Sequence, residues 1–279
     1  MENNKVWFIT GASKGIGLEL AKKILAEGHK VAATSRSEEA LIKALGNPSE
    51  NFLPLEMDLL NEKSVKNAIE VTISHFKTID VLVNNAGYGL LGALEELTDA
   101  ESRKNYEVNV FGLLNVIRNT MPYMRAARSG HIFNISSVGG YYGEFPGWGI
   151  YCSTKFAVAG LTESLAAEVK SFGVHATIVY PGYFRTDFLK DSSLLLPQNP
   201  IADYIEVRQS ENAHKDDINQ NQPGDPVKLA EALIKVSQDQ NPPLHLFLGE
   251  DAYNMANQKI MSVQGELEKW KSVSVSTGF

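Results

Sequence analysis

The stretch Val6-Trp7-Phe8-Ile9-Thr10-Gly11-Ala12-Ser13-Lys14-Gly15-Ile16-Gly17 decides the fold. Its first five residues form an apolar run of strand length. The segment opening at Ile16 carries Leu20, Ile24 and Leu25 at helical spacing, so the glycines occupy a strand-to-helix turn. Glycine there lets backbone N–H groups approach a pyrophosphate, and the helix N-terminus adds unpaired donors and the positive end of its dipole. The spacing G-x-x-x-G-x-G departs from the G-x-G-x-x-G dinucleotide fingerprint, so the strand–turn–helix position carries the reading more than the glycine pattern.

Outward from this turn, strand-length apolar runs at 6–10, 30–35, 52–57, 79–84, 130–136, 175–180 and 244–248 alternate with helical periodicity near 15–27, 38–45, 61–76, 99–127, 152–172 and 226–238. That alternation predicts an α/β fold, a doubly wound, Rossmann-type parallel sheet of seven strands covered on both faces. With 279 residues, 43% of them hydrophobic, residues 1–279 are expected to form a single domain. The net charge of −7 argues against nucleic acid as a partner. No apolar run approaches the roughly 20 residues of a membrane helix. The N-terminus lacks a signal-peptide pattern and the single Cys152 cannot form an internal disulfide, so a soluble, cytoplasmic protein is expected.

Two stretches break the alternation. The connection 183–224 is too long for an ordinary turn, apolar in its first half (Phe184, Phe188, Leu189, Leu194-Leu195-Leu196) and polar over 206–222, which marks a lid or substrate loop. In 250–279, Tyr253, Ala256, Ile260, Val263, Leu267 and Trp270 make one apolar helix face, expected to pack on its own domain, with the last eight residues frayed.

A second motif lies beyond the fifth strand run. Tyr151-Cys152-Ser153-Thr154-Lys155 opens a helix, so Tyr151 and Lys155, at i and i+4, share a face about 5–6 Å apart at Cβ. A free phenol with pKa near 10 is a poor base at neutral pH, and a neighbouring ammonium favours its phenolate. Alone, Y-x-x-x-K describes many exposed helix faces. Here it follows Ser136-Ser137 at a strand end and lies downstream of the glycine turn.

Together Thr10-Gly11-x-x-x-Gly15-x-Gly17, Asn84-Asn85-Ala86-Gly87 and Ser137 with Tyr151-x-x-x-Lys155 resemble the short-chain dehydrogenase/reductase family over most of residues 5–190. The nearest motif wording is that of hydroxysteroid and retinol dehydrogenases. The resemblance implies hydride transfer between a nicotinamide dinucleotide and a carbonyl or secondary alcohol. Tyr151 would be general acid or base and Lys155 would hold the nicotinamide ribose and lower the Tyr pKa. Ser137 would orient the substrate oxygen, with Ser136 the fallback because the loop is one residue longer than usual. Asn109 would support a water or proton relay, its competing reading being a satisfied polar core residue. Cofactor contacts are implied at Gly11, Ser13, Lys14, Gly15, Ile16, Gly17, Asp58, Leu59, Asn85, Ala86 and Gly87, at Tyr151 and Lys155, and in the Pro181-Gly182-x-Phe184-x-Thr186 turn. Asn84 is expected to brace neighbouring strands. A homodimer or homotetramer through 99–127 and 152–172 is what the family suggests.

NAD enzymes place an acid at the end of the second strand to receive the ribose 2′-hydroxyl. This chain reads Thr34-Ser35-Arg36 there. With no acid to repel a 2′-phosphate, and with Arg36 and Lys14 as cations, NADP(H) is the expected cofactor and NAD(H) the alternative. Tyr141, Tyr142, Phe145 and Trp148, with the start of 183–224, would wall an apolar substrate pocket or serve as core packing. Ser137 lacks a nucleophile elbow, and the six dispersed histidines offer no metal-ligand spacing, so neither hydrolase nor metal chemistry is expected. A silent NADP(H)-sensing or scaffolding protein is the rival function, disfavoured by the joint presence of Asn109, Ser137, Tyr151 and Lys155.

Overall fold

The computed structural model describes residues 4–190 and 193–279. Its strands are β1 (Val6–Thr10), β2 (Lys30–Ser35), β3 (Phe52–Glu56), β4 (Val81–Asn84), β5 (Gly89–Leu90), β6 (Gly130–Ile135), β7 (Val174–Pro181), β8 (Leu194–Leu195) and β9 (His245–Leu248). Seven of them form one parallel sheet in the order β3-β2-β1-β4-β6-β7-β9. The strand runs read from the sequence recur with their ends shifted by no more than two residues.

Each central strand divides its side chains between two cores because alternate residues point to opposite faces. Val6 and Phe8 of β1 pack, with Leu82 and Ile132, against α3 (Glu62–Phe76), α5 (Leu113–Ala127) and α6 (Gly149–Val169). Trp7 and Ile9 pack, with Val83 and Phe133, against α1 (Gly15–Ala26), α2 (Glu38–Leu45) and α8 (Pro226–Ser237). The result is a Rossmann-like single domain. Strand order reverses between β1 and β4, so a crevice opens outside their carboxyl ends, where such sheets bind ligands.

The long helix expected over 99–127 is divided. Between α4 (Asp99–Tyr106) and α5 lies one wide π turn, Glu107–Gly112, which holds Asn109. Such turns widen the helix and re-aim a side chain. The connection 183–224 is also more structured than expected. It contains β8, which pairs with β5, then α7 (Ile205–Asn212) and a second π turn, Ala213–Ile218. Phe184 and Gly224 meet in a parallel bridge that closes the excursion at its base.

The C-terminal segment forms α9 (Glu250–Val275), longer than expected at its end. Packing on its own domain holds only for its first turns, where Ala252 and Ala256 are buried. Tyr253, Ile260, Leu267 and Trp270 are 63%, 49%, 62% and 55% exposed, so most of the periodic face is uncovered. Periodicity specifies an apolar face without specifying what covers it. No described helix is long and apolar enough to cross a membrane.

Candidate active site

The glycine turn is held against the end of β4. Thr10 Oγ1 accepts from the N–H groups of Asn85 and Ala86, both at 3.0 Å. Asn85 Nδ2 donates back to the carbonyls of Thr10 (2.9 Å) and Gly11 (3.1 Å). A Cβ on Gly11, whose φ is +68°, would lie 2.9 Å from Ala86 Cα, and one on Gly17 would lie 2.5 Å from Asn85 Nδ2. Gly15 is also left-handed, at φ +60°. The turn therefore presents bare backbone to the crevice. Helix α1 starts behind it, and among the described residues no side chain caps its N-terminal donors. Such donors fit an anionic diphosphate.

The positions assigned to the adenosine half lie at neighbouring strand ends. Ser35 Oγ donates to the Ser37 carbonyl at 2.6 Å, which shapes the turn after β2, and Arg36 is exposed beside it. The Lys14 ammonium is pushed down from the ordinary lysine range by burial and then by the nearby Arg36 charge, with Asp187 opposing. Two cations thus share one neighbourhood. Asp58 follows β3 and accepts from the Leu60 N–H at 3.0 Å, and the Leu59 carbonyl accepts from Asn115 Nδ2 at 2.9 Å.

Helix α6 carries Tyr151 and Lys155 on its buried face. The Ser137 hydroxyl and the Tyr151 ring share the space beside Gly139, where a Cβ would lie 3.5 Å from Ser137 Oγ and 4.0 Å from Tyr151 Cε1, and the Ser137 hydroxyl accepts from the Gly139 N–H at 3.1 Å. Ser136 points elsewhere, donating to the Lys155 carbonyl at 2.9 Å, and both groups fill the space a Cβ on Gly140 would need. Of the two serines, Ser137 faces Tyr151.

Lys155 Nζ lies 5.7 Å from the Tyr151 ring centroid and donates to the Ile135 carbonyl at 2.8 Å. Burial pushes Lys155 down to about 8. Burial also pushes Tyr151 upward, opposed by Ser137. Desolvation of the phenolate is the largest influence on Tyr151, and the Lys155 ammonium is engaged by a backbone carbonyl.

Asn109 is fully engaged. Its Oδ1 accepts from the Tyr88 N–H at 3.1 Å, and its Nδ2 donates to the Tyr88 carbonyl at 3.0 Å and to Thr154 Oγ1 at 3.1 Å. Asn105 Nδ2 donates to the same Tyr88 carbonyl at 3.1 Å. The two amides pin the loop after β4 to α6. Gly87 passes between them and the lysine, since a Cβ there would lie 3.0 Å from Asn109 Oδ1 and 3.6 Å from Lys155 Nζ. The Asn105/Asn109 spacing, i and i+4, is the sequence signal that would have exposed Asn105. Asn84 Nδ2 donates to Asn134 Oδ1 at 2.8 Å and so ties β4 to β6.

The Pro181-Gly182 turn hangs over the cradle from β7. Gly182 N–H donates to the Leu248 carbonyl at 2.9 Å, and Tyr183 N–H donates to Asp251 Oδ2 at 2.6 Å. Thr186 caps the 3-10 turn Asp187–Leu189 and lies across from Gly15, its Cβ 3.8 Å from where a Gly15 Cβ would be. The Phe184 side chain packs toward the α1 and α8 core.

On the other side of Tyr151 is an apolar cluster. Trp148 and Phe188 rings lie 5.4 and 5.8 Å from it, and Leu91, Leu189, Leu194 and Val207 close around them, bringing the 183–224 excursion onto the site. Phe145 joins this wall. Tyr141 does not: it packs edge-on against Tyr180 (5.7 Å) and Phe247 (5.0 Å) in a different cluster. Tyr142 meets Phe145 edge-on and bonds outward to Glu144 at 3.1 Å. The Cys152 thiol is raised to about 12 by burial, which keeps it un-ionised. Besides Asn105, two residues beside this wall escaped sequence reasoning, Tyr183 and His214, which meet at 3.0 Å across 31 residues of chain.

Residues 5–194 match the family model described as short chain dehydrogenase. The chain is 38% identical over 250 residues to a 3-ketodihydrosphingosine reductase of Bacteroides thetaiotaomicron, covering 88% of each chain. A short-chain dehydrogenase structure from Streptomyces avermitilis superposes with a TM-score of 0.89 at 35% identity, covering 99% of this chain and 100% of that one. Two further structures carry dinucleotides. ElxO, with NADP bound, has a TM-score of 0.72 at 29% identity, over 88% of this chain and 96% of its own. The 3-ketoacyl-(acyl-carrier-protein) reductase of Brucella melitensis, complexed with NADH, has 0.73 at 25%, over 88% and 97%. A parallel sheet with its glycine cradle at the strand reversal, and Ser137, Tyr151 and Lys155 beside it, thus has its match in both sequence and structure: the chain belongs to the short-chain dehydrogenase/reductase family of oxidoreductases.

Proposed function

We propose that this oxidoreductase moves a hydride between NADP(H) and a carbonyl or secondary alcohol on an apolar substrate, with Tyr151 as the proton-transfer residue. The grouping of Tyr151, Ser137 and Lys155 in one buried site beside the glycine cradle carries this reading. A nicotinamide held there supplies or takes the hydride. The backbone of Gly11 to Gly17 and the α1 N-terminus would hold the diphosphate, with Ser13 on the same turn. Arg36 and Lys14 would receive a 2′-phosphate, and Thr34-Ser35-Arg36 at the end of β2, where NAD enzymes place an acid, supports NADP(H) over NAD(H).

Within the site, the Ser137 hydroxyl would orient the substrate oxygen toward the Tyr151 phenol. A phenol kept protonated by burial can donate a proton as the carbonyl oxygen gains charge in reduction, and its conjugate base can take one in oxidation. Lys155, an ammonium below about pH 8, would bind the ribose and supply positive charge near that oxygen. Asn109 would act as a positioning residue, holding the loop that carries Gly87 against α6. The 183–224 excursion would serve as the lid that excludes water.

The test follows NADPH and NADH consumption against a panel of apolar ketones and aldehydes, with Tyr151→Phe as control. Loss of a proton donor lowers turnover by about 10²–10⁴-fold. Undiminished turnover in Tyr151→Phe overturns the mechanism, and failure of the wild type to bind either dinucleotide overturns the cradle assignment.

A further inference from the structure

The apolar wall beside Tyr151 contains polar atoms that the hydride-transfer reading does not use. Trp148 is 5% exposed, and its indole N–H is buried with no hydrogen-bond partner among the described residues. An unmet buried donor is costly, and a native site that keeps one next to its reacting groups is arranged for an acceptor that arrives. The ring lies 5.4 Å from Tyr151 and 4.9 Å from His214.

His214, 6% exposed, sits in the π turn of the lid and meets Tyr183. Its Nδ1 is 2.7 Å from the Ser210 carbonyl, which can only accept, so Nδ1 carries the proton. Burial pushes the imidazolium down, leaving the ring neutral and Nε2 an acceptor. Tyr183 therefore donates its hydroxyl proton to Nε2 at 3.0 Å. Having donated, the Tyr183 oxygen has only lone pairs to offer. Tyr183 and Trp148 both meet the His214 ring, the first through this bond and the second at 4.9 Å between ring centroids, and Trp148 in turn meets Tyr151.

The two neighbours of His214 thus differ in what they lack: Trp148 holds an unmet proton and Tyr183 holds lone pairs. A carbonyl satisfies only the first and an amine hydrogen only the second. A hydroxyl satisfies both, accepting from the indole and donating to the phenol oxygen. We propose that Trp148 and Tyr183, the latter oriented by His214, form a hydroxyl-recognition point in the substrate cavity, so that the substrate is a ketone carrying a hydroxyl close to its reacting carbonyl on an apolar body. This rests on the proposed carbonyl reduction and names its substrate class. The π turn then has a use: it delivers His214 from the lid, so the recognition point is complete only with the lid in place.

The experiment uses the full chain with a matched series: an apolar ketone, and the same ketone bearing a hydroxyl on the first, second or third carbon from the carbonyl. The quantity read is the ratio of kcat/KM for hydroxylated over plain substrate. A site built to bond a hydroxyl discriminates against its absence, so at least one member should exceed the plain ketone by about tenfold or more. Tyr183→Phe, which removes only the hydroxyl, and Trp148→Phe, which keeps an aromatic ring without the N–H, should each lower that ratio by at least about fivefold. Equilibrium titration with the matching diol and mono-alcohol reads the same preference without catalysis. A ratio near one across the series, or a ratio unmoved in both variants, overturns the proposal. Absent discrimination with an inactive Tyr151→Phe removes the recognition point and leaves the reductase reading standing. A diol preference lost in Tyr183→Phe, with full turnover in Tyr151→Phe, does the reverse.

Discussion

Lys155 and Tyr151 stand one helical turn apart with the ammonium 5.7 Å from the phenol ring, and burial drives both toward their neutral forms. The lysine, at about 8 in the folded chain, titrates near 10.4 when unfolded. Between those values the unfolded chain holds a proton that the folded chain has lost. Stability from this group is therefore complete above the unfolded pKa and is lost as pH falls toward about 8. Lys155→Met removes the linkage. Urea midpoints of the two proteins from pH 7 to 9.5 should shift in the wild type's favour as pH rises, by up to about 1.4 kcal/mol per pH unit above pH 8. Parallel curves would show that the ammonium is well solvated and that burial is not what governs it.

Two left-handed glycines separate strain from contact. Gly28 has φ +81° with no described atom within 4 Å of where a Cβ would stand, whereas Gly11, at φ +68°, has Ala86 Cα 2.9 Å away. Gly28→Ala should cost about 1–2 kcal/mol of stability from the backbone alone and leave dinucleotide affinity as it was. Gly11→Ala adds a clash against the residues following β4, at the cradle itself. It should destabilise further and weaken NADPH binding by at least about tenfold, as followed by thermal midpoint and nucleotide fluorescence titration. Equal effects from the two substitutions would remove Gly11 from the binding site.

Arg36 tests the choice of cofactor. A charge-assisted pair with phosphate contributes about 1.5–3 kcal/mol, so Arg36→Ala should raise the Kd for NADPH about tenfold or more and that for NADH far less. Binding titrations with both dinucleotides measure the difference. A proportional loss for both would mean that Arg36 contributes only general positive charge, and the NADP(H) assignment would fail.

The sheet was legible because buried parallel strands print as uninterrupted apolar runs, and Val6–Thr10 is buried at every position. What escaped was set by distant partners. Strands β5 and β8 have two residues each, too few for any period, and exist because Gly89 and Leu90 pair with Leu194 and Leu195. Helix α7 lies in a polar stretch that periodicity reads as loop. In the site, the glycine turn and Y-x-x-x-K declared themselves through local spacing. The Tyr183–His214 bond joins residues with no sequence relation, and the different destinations of Tyr141 and Trp148 depend on which way an aperiodic loop turns. The exposed face of α9 is the converse case, in which a clear local pattern had no partner among the described residues to complete it.

The lid is fastened to the domain by one buried carboxylate. Glu96, with its side chain 0% exposed, accepts from the Ala93 N–H at 2.7 Å and the Ile201 N–H at 2.6 Å, and pairs with Arg208 of α7 at 2.8 Å. Tyr204 adds a bond to Glu95. Arg208→Met leaves the Glu96 charge buried with only backbone donors. Breaking a buried pair costs about 3–5 kcal/mol, and because Arg208 is 25% exposed the effect here should be smaller, on the order of 1–3 kcal/mol. The loss should fall on the excursion rather than the sheet. Amide hydrogen exchange across 201–216 should therefore accelerate about tenfold or more while β1 and β4 keep their protection. Glu96→Gln in the Arg208→Met background removes the stranded charge and should restore part of the protection. If exchange in 201–216 matched wild type in Arg208→Met, the lid would be held by its apolar contacts with Leu91 and Trp148, and the ion pair would be incidental to closure.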